Sequence, residues 1–226
     1  RPGQDVTAAA RSNGSEPAGD RPFDVLLCDL DGVLRVWDPK LWPPIEQRHG
    51  LRPGAIYSTA FQAELLLPPV LGQISDEQWR LAVARELAGE YGIETAAAAL
   101  ADWAAPTGRV EPAAFALVQQ VRAAGIRTVL VTNATSRLDR DLAALGLDDA
   151  VDAVVNSSRI GVVKPDREIY LHAAEIGGAE PQRCLFIDDT PANVVGAEAV
   201  GMTALLYTGP DMLPVVATTL GLDLAG

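Results

Sequence analysis

The sequence has only two cysteines in 226 residues. That number is too small for a disulfide scaffold or a multi-cysteine zinc site. Cations are also scarce, because 18 lysines and arginines stand against 30 acids and leave a formal net charge of −12. This balance argues against binding to nucleic acid or to an anionic membrane surface, since both need clustered cations.

Long apolar runs are missing as well. No run approaches the roughly 18 residues of a membrane span. The N-terminus lacks a basic start followed by an apolar stretch, which is the pattern of a secretory signal. We therefore expect a cytoplasmic protein without a membrane partner, and the sequence does not indicate an oligomeric state.

Short apolar runs instead alternate with helical segments. Five runs have the character of strands buried on both faces: FDVLLCD (23–29), IRTVLVT (126–132), VDAVV (151–155), CLFID (184–188) and TALLY (203–207). Helices of about 10 to 15 residues fit between them, which indicates βαβ units. The predicted fold is an α/β, Rossmann-like, doubly wound parallel sheet.

Two stretches depart from this alternation. Residues 1–21 are rich in Gly, Ala, Ser and Pro and have no periodic apolar pattern, so they predict a flexible tail. Residues 35–108 lack strand-like runs and predict an inserted α-helical cap on a core formed by 22–34 and 109–226. Three residues near the start of the cap could contact a substrate, although ordinary packing and surface charge explain them more simply: Arg35, Trp37 and Trp42.

Polar side chains stand at the carboxyl ends of the predicted strands or a few residues beyond. They comprise four carboxylates, a hydroxyl, an amide and one of only two lysines: Asp29, Asp31, Asp188, Asp189, Thr132, Asn133 and Lys164. Ligands of parallel α/β sheets bind beyond these strand ends, so we expect the side chains to converge. Four close carboxylates raise one another's pKa and need a cation, and hard oxygen ligands favour Mg²⁺.

This ordered set resembles the haloacid dehalogenase-like hydrolase superfamily over about residues 22–209. Its four motifs stand here as DLDGVL (29–34), VLVTNA (129–134), VKPDREIY (163–170) and FIDDTPANVVGA (186–197). The last two look most like the subfamily that contains epoxide hydrolase N-terminal phosphatase domains and small bacterial sugar phosphatases. The resemblance implies a Mg²⁺-dependent phosphatase acting on a small phosphomonoester, such as a sugar phosphate or similar metabolite.

The resemblance also implies roles for the four acids. Asp29 would attack phosphorus and form an aspartyl-phosphate. Asp31 would protonate the leaving alcohol and then deprotonate the hydrolytic water. Mg²⁺ would bind the Asp29 carboxylate, the backbone oxygen of Asp31 and the Asp189 carboxylate, with Asp188 ligating through water or orienting the site.

The phosphate-binding roles follow from the same resemblance. Thr132 and the amides of Asn133 and Ala134 would hold phosphate oxygens at a helix N-terminus. Lys164 would add a compact positive charge against the charge that develops during transfer.

Other functions on related folds remain open or are disfavoured. A phosphosugar mutase carries the same acids, so the motifs do not exclude it. Haloacid dehalogenases carry tyrosine where this chain has Asp31, and a phosphonatase needs a lysine in the cap, where only Lys40 is available. A phospho-accepting regulatory switch has its acid pair on the first strand and its lysine last. Here the acid pair follows Lys164, which disfavours that non-enzyme alternative.

Overall fold

A computed structural model describes residues 21–222. Its strands are β1 (Val25–Cys28), β2 (Arg35–Val36), β3 (Arg109–Val110), β4 (Arg127–Thr132), β5 (Ala153–Asn156), β6 (Cys184–Asp188) and β7 (Thr203–Leu206). Its α-helices are α1 (Trp42–Arg48), α2 (Ala55–Ala60), α3 (Ala63–Val70), α4 (Asp76–Tyr91), α5 (Ile93–Ala104), α6 (Pro112–Ala123), α7 (Leu138–Leu145), α8 (Ser157–Ile160), α9 (Arg167–Gly177), α10 (Pro191–Glu198) and α11 (Leu213–Thr219). Short 3₁₀ turns occupy Pro39–Leu41, Pro181–Arg183 and Pro210–Met212. Apart from Arg21, the predicted N-terminal tail lies outside the described residues.

The main sheet has five parallel strands in the order β5-β4-β1-β6-β7. Alternate residues of β1 enter different hydrophobic clusters, because successive side chains of a strand point to opposite faces. Leu26 and Cys28 pack with α6 and α11, whereas Val25 and Leu27 pack with α9. The predicted doubly wound α/β sheet is confirmed, with β1 at its centre.

Along the chain, the five helices α1 to α5 follow β1 and precede the other four strands of the main sheet. Helix α4 begins at a capping box in which Ser75 and Gln78 each bond the other's backbone N–H. Its apolar side packs on α5 through Trp79, Val83 and Leu87. These helices share a hydrophobic cluster of their own.

The two chain segments that join these helices to the sheet pair with each other. Strands β2 and β3 form an antiparallel ribbon in which Arg35 lies opposite Val110. The sequence analysis predicted no strand in this region, and that detail is wrong. Two-residue strands carry no readable alternation, and their pairing depends on the two ends of the insertion meeting in space.

Both cysteines, Cys28 and Cys184, are buried and free. Among the described residues, no helix combines the length and the apolar character that crossing a membrane requires.

Asp152 connects the start of β4 to the segment before β5. Its carboxylate accepts hydrogen bonds from the backbone N–H of Thr128 at 2.8 Å and from Arg122 Nη2 at 2.8 Å. Partial burial raises the pKa of Asp152, but these hydrogen bonds and the Arg122 charge outweigh burial and lower the pKa below its usual value. Such a carboxylate stabilises the fold above the unfolded-state pKa of about 3.9 and loses that contribution as the pH falls.

We predict that Asp152→Asn lowers the melting temperature at pH 7 and has a smaller effect at about pH 3, below the unfolded-state pKa, where part of the contribution of the carboxylate is already lost. Thermal unfolding followed by circular dichroism at a series of pH values measures this difference. Asp148→Asn, at an exposed acid nearby, is the matched control. An Asp152→Asn effect of equal size at both pH values would contradict the assignment.

Candidate active site

The ammonium group of Lys164 lies between two buried carboxylates. Its Nζ is 2.7 Å from Asp29 Oδ1 and 2.6 Å from Asp188 Oδ2. The two acids are level because β1 and β6 pair in parallel with Cys28 opposite Ile187, which places the next residue of each strand side by side. The structure thus brings together three of the residues that the sequence analysis singled out.

Asp188 is held on both oxygens. Oδ1 accepts from the Thr190 backbone N–H at 2.8 Å, and Asn193 Nδ2 donates to Oδ1 and Oδ2 at 3.0 and 3.1 Å. Tyr170 donates its hydroxyl to the Asn193 carbonyl at 2.8 Å, which fixes the start of α10. The sequence analysis missed Asn193. Its signal is an asparagine one turn into the helix that follows the acid pair, where its side chain can reach back to the strand end.

Asp29 has one occupied oxygen and one open oxygen. Oδ1 accepts the Leu30 N–H at 2.7 Å and the Lys164 ammonium, whereas Oδ2 has no hydrogen-bond partner within residues 21–222. The pKa of Asp29 is raised to about 7. Burial is the largest cause, the Lys164 charge opposes the rise, and the Asp188 charge adds to it. Burial lowers the pKa of Lys164, but Asp29 and Asp188 outweigh this effect and raise the pKa overall, so the lysine stays protonated.

A third carboxylate, Asp189, completes an acidic cluster. Oxygens of Asp29, Asp188 and Asp189 all lie within 4.8 Å of one another. Gly32 packs against Asp189, since a Cβ on this glycine would stand 2.0 Å from Asp189 Oδ2, and its φ of +81° also favours glycine. Burial and the Asp188 charge raise the pKa of Asp189. One ammonium against three carboxylates leaves an excess of negative charge, and this donor set fits a hard divalent cation such as Mg²⁺.

Asp31 faces away from this cluster toward the start of the helical insertion. Arg35 forms a two-pronged ion pair with it, Nε to Oδ1 at 2.7 Å and Nη2 to Oδ2 at 2.8 Å. Trp37 donates its indole N–H to Asp31 Oδ1 at 2.7 Å. Burial lowers the pKa of Arg35, but Asp31 and Asp141 outweigh it and raise the pKa overall. The sequence analysis treated Arg35 and Trp37 as ordinary packing residues, because the turn that folds them back onto Asp31 has no sequence periodicity.

The Asn133 side chain forms two hydrogen bonds with the backbone of Lys164. Its Oδ1 accepts the Lys164 N–H at 2.7 Å, and its Nδ2 donates to the Lys164 carbonyl at 2.9 Å. Thr132 is buried at the end of β4, level with Leu30 of the segment after β1. Asn133 therefore positions the lysine-bearing loop, a role that differs from the predicted phosphate contact of its amide.

One detail of the predicted phosphate site is wrong. Helix α7 begins at Leu138, so Asn133 and Ala134 do not form its N-terminus. The Ala134 amide instead donates to Ser157 Oγ at 3.1 Å. A loop of several residues, tied to the segment after β5, separates the strand end from the helix.

The family model for haloacid dehalogenase-like hydrolases matches residues 23–201. The chain belongs to this family. It is therefore a hydrolase, and the resemblance drawn from its four motifs is confirmed.

Relatives within this family match most of the chain. Hexitol phosphatase A of Escherichia coli is 27% identical over 204 residues, which are 83% of this chain and 84% of the relative. A haloacid dehalogenase-like hydrolase structure from Porphyromonas gingivalis has a TM-score of 0.69 and 25% identity, with coverage of 89% and 100%. A family enzyme from Bacteroides thetaiotaomicron, solved with magnesium and inorganic phosphate, has a TM-score of 0.66 and 18% identity, with coverage of 90% and 98%.

We predict that Gly32→Ala weakens Mg²⁺ binding, because the added methyl group displaces the Asp189 carboxylate. Bound Mg²⁺ should raise the melting temperature of the wild type by several degrees, since a ligand at about 100 times its Kd adds roughly 2.7 kcal/mol. That rise should be lost in Gly32→Ala. Gly146→Ala is the matched control, with φ of +67° and nothing within 4 Å of the new Cβ. An unchanged Mg²⁺ response in Gly32→Ala would contradict the predicted site.

Proposed function

We propose that this hydrolase cleaves small phosphomonoesters with the help of Mg²⁺, through an aspartyl-phosphate formed on Asp29. The observation that carries the proposal is the geometry of Asp29, whose Oδ1 is held by Lys164 and by a backbone N–H while Oδ2 stays open. The similarity to a hexitol phosphatase and the magnesium and phosphate in the Bacteroides structure support the same chemistry.

Asp29 acts as the nucleophile in this proposal. Oδ2 attacks phosphorus, the P–O bond to the alcohol breaks, and an acyl phosphate remains on the carboxyl group. Water then attacks the same phosphorus, which releases inorganic phosphate and restores the carboxylate. One difficult displacement is thereby divided into two easier steps.

Lys164 supplies a fixed positive charge beside the nucleophile. Its ammonium is held by Asp29 and Asp188, and its backbone by Asn133, so the charge needs no reorganisation when phosphate arrives. Asp188 has every oxygen engaged by protein groups, which favours an orienting role over direct metal ligation. Thr132 and the Asn133 amide remain the proposed contacts of the substrate phosphate.

Asp29 and Asp189, together with the backbone oxygen of Asp31, are the proposed Mg²⁺ ligands. When bound, Mg²⁺ would lower the repulsion between the carboxylate nucleophile and the anionic substrate. Asp189 Oδ1 accepts a side-chain hydrogen bond from Thr190 at 3.2 Å. Its Oδ2 lies against Gly32 and accepts no side-chain hydrogen bond from residues 21–222, so this oxygen is suited to bind the ion.

Asp31 is the proposed acid and base. It donates a proton to the leaving alcohol oxygen in the first step and removes a proton from water in the second. Arg35 and Trp37 hold both of its oxygens, so the carboxyl group has a defined orientation toward the leaving group. We treat Arg35 as a positioning residue.

We predict that Asp29→Asn abolishes hydrolysis of p-nitrophenyl phosphate, because the amide cannot form an acyl phosphate. We also predict that EDTA reversibly abolishes hydrolysis by the wild type, because it removes the proposed Mg²⁺. Release of p-nitrophenol measures both effects. Asp24→Asn, which changes an acid paired with Arg183 before β1, should keep its activity. Activity that survives Asp29→Asn or EDTA would overturn the proposal. With a hexose 1-phosphate as the substrate, recovery of an isomerised hexose phosphate in place of free phosphate would indicate a mutase.

We predict that Arg35→Lys lowers kcat about tenfold for a simple alkyl phosphate, because lysine is a point charge and cannot hold both Asp31 oxygens. The loss should be smaller for p-nitrophenyl phosphate, whose leaving group needs less protonation, and KM should change little. Arg109→Lys on the facing strand of the β2–β3 ribbon is the matched control. Equal losses on both substrates would show that Arg35 does not act through the proton donor.

A further inference from the structure

A cavity of about 310 Å³ opens beside Asp31, between the main sheet and the inserted helices. Its volume lies at the lower end of the range of roughly 300–1,000 Å³ that small-molecule sites span. Asp31 and Asn133 lie in its wall, so the cavity reaches the proposed proton donor. If Asp31 protonates the leaving oxygen, as the proposed function requires, the leaving alcohol must lie on the Asp31 side, which is this cavity.

Aromatic rings dominate the wall. All four tryptophans of the chain line it, together with a tyrosine and a phenylalanine: Trp37, Trp42, Trp79, Trp103, Tyr57 and Phe61. Neighbouring rings contact one another in a chain. The ring centroids are 5.7 Å apart for Trp37–Trp42 and also for Trp42–Trp103. Leucine, valine, alanine and proline side chains complete the apolar lining.

Two of these rings are exposed to solvent over a large part of their surface. Tyr57 is 59% and Phe61 is 44% accessible. Tyr57 lies on α2 and Phe61 directly follows this helix, and the two rings stack with centroids separated by 4.3 Å. Exposed aromatic rings that converge on a catalytic cavity have apolar area available for a ligand, and covering it would be favourable. Since they contribute little to the core, they can be changed without emptying it.

The charged groups in the wall are already paired with protein groups. Arg35 pairs with Asp31 and Asp141, and Arg137 pairs with Asp141 at 2.8 Å. Asp76 Oδ2 pairs with Arg80 at 2.6 Å. Binding of a charged leaving group would have to break these pairs, so the wall does not favour one.

The hydrogen-bonding side chains in the wall are largely committed as well. Asn133 bonds the Lys164 backbone, the Thr135 hydroxyl donates to Asp76 at 2.8 Å, and the Trp37 indole N–H donates to Asp31. A polyhydroxylated alcohol in this cavity would leave several hydroxyl groups without partners, which is costly once water is excluded. The exceptions are four groups on the aromatic rings: the indole N–H groups of Trp42, Trp79 and Trp103 and the Tyr57 hydroxyl have no hydrogen-bond partner within the described part of the chain. The indoles only donate, so the Tyr57 oxygen is the one acceptor among these four for the hydroxyl protons of an alcohol.

We propose that the substrate is the phosphate monoester of an apolar alcohol about one or two rings in size, and that sugar and polyol phosphates are poor substrates. The inference rests on the proposed phosphatase function. The aromatic wall covers the apolar part of the alcohol, and Asp31 protonates the ester oxygen at the mouth of the cavity.

The test compares two esters of primary alcohols, 2-phenylethyl phosphate and sorbitol 6-phosphate, by the release of inorganic phosphate. The apolar ester should have the higher kcat/KM by at least about tenfold. The hydroxyl groups of sorbitol make it the better leaving group, so this preference cannot arise from leaving-group chemistry. Equal or greater kcat/KM for sorbitol 6-phosphate would overturn the inference while leaving the phosphatase function intact.

The Phe61→Ala variant tests the cavity itself. It should lower kcat/KM for 2-phenylethyl phosphate about tenfold and lower kcat/KM for sorbitol 6-phosphate by a clearly smaller factor. Leu81→Ala, at an equally exposed apolar residue on α4 that does not line the cavity, is the matched control. If Phe61→Ala and Leu81→Ala behave alike, the cavity does not hold the leaving group.

A binding measurement separates this inference from the proposed function. All tryptophans line the cavity, so the intrinsic fluorescence of Asp29→Asn reports its occupancy even when no turnover occurs. 2-Phenylethyl phosphate should produce a saturable change, and sorbitol 6-phosphate should not. Failure of every ester to be hydrolysed by the wild type would reject the phosphatase function alone, whereas a missing fluorescence response would reject the ligand class.

Discussion

The buried ammonium of Lys164 is the interaction on which the rest of the site depends. It stands between Asp29 and Asp188 at hydrogen-bond distance from both. Without it, two adjacent carboxylates would be buried with no compensating charge, which is strongly unfavourable. Asn133 on the loop after β4 and Asn193 at the start of α10 hold this arrangement from two sides. The ends of several strands are thereby tied to one cation.

The same constraint explains why the site can accept a further cation and an anionic substrate. Lys164 balances only part of the charge of Asp29, Asp188 and Asp189, so the cluster keeps an excess of negative charge that the proposed Mg²⁺ would offset. A bound divalent ion together with the lysine would offset the charge of the three carboxylates, so the net negative charge next to Asp29 would be removed. The net charge of −12 is therefore no obstacle to a small phosphate ester, since the local field at a closed site outweighs the charge of the whole chain.

The sequence carried enough information to predict the parallel sheet and the edge at which Asp29, Lys164 and Asp188 meet. Buried strands have a distinctive composition, and in a parallel sheet their carboxyl ends share one edge. The link between Arg35 and Asp31 was beyond such reasoning, because it depends on a tight turn and on the β2–β3 ribbon rather than on a periodic pattern. The aromatic cavity was equally hidden, since its rings come from separate helices whose packing decides which faces meet.

Trapping the intermediate is the most direct test of the central claim that Asp29 forms an acyl phosphate. Enzyme mixed with substrate and Mg²⁺ is quenched in acid, reduced with borohydride, digested and analysed by peptide mass spectrometry. Borohydride reduces an aspartyl-phosphate to homoserine, so we predict homoserine at position 29, and only in samples that contained substrate. Homoserine at another acid such as Asp31, or at no position during active turnover, would contradict the account.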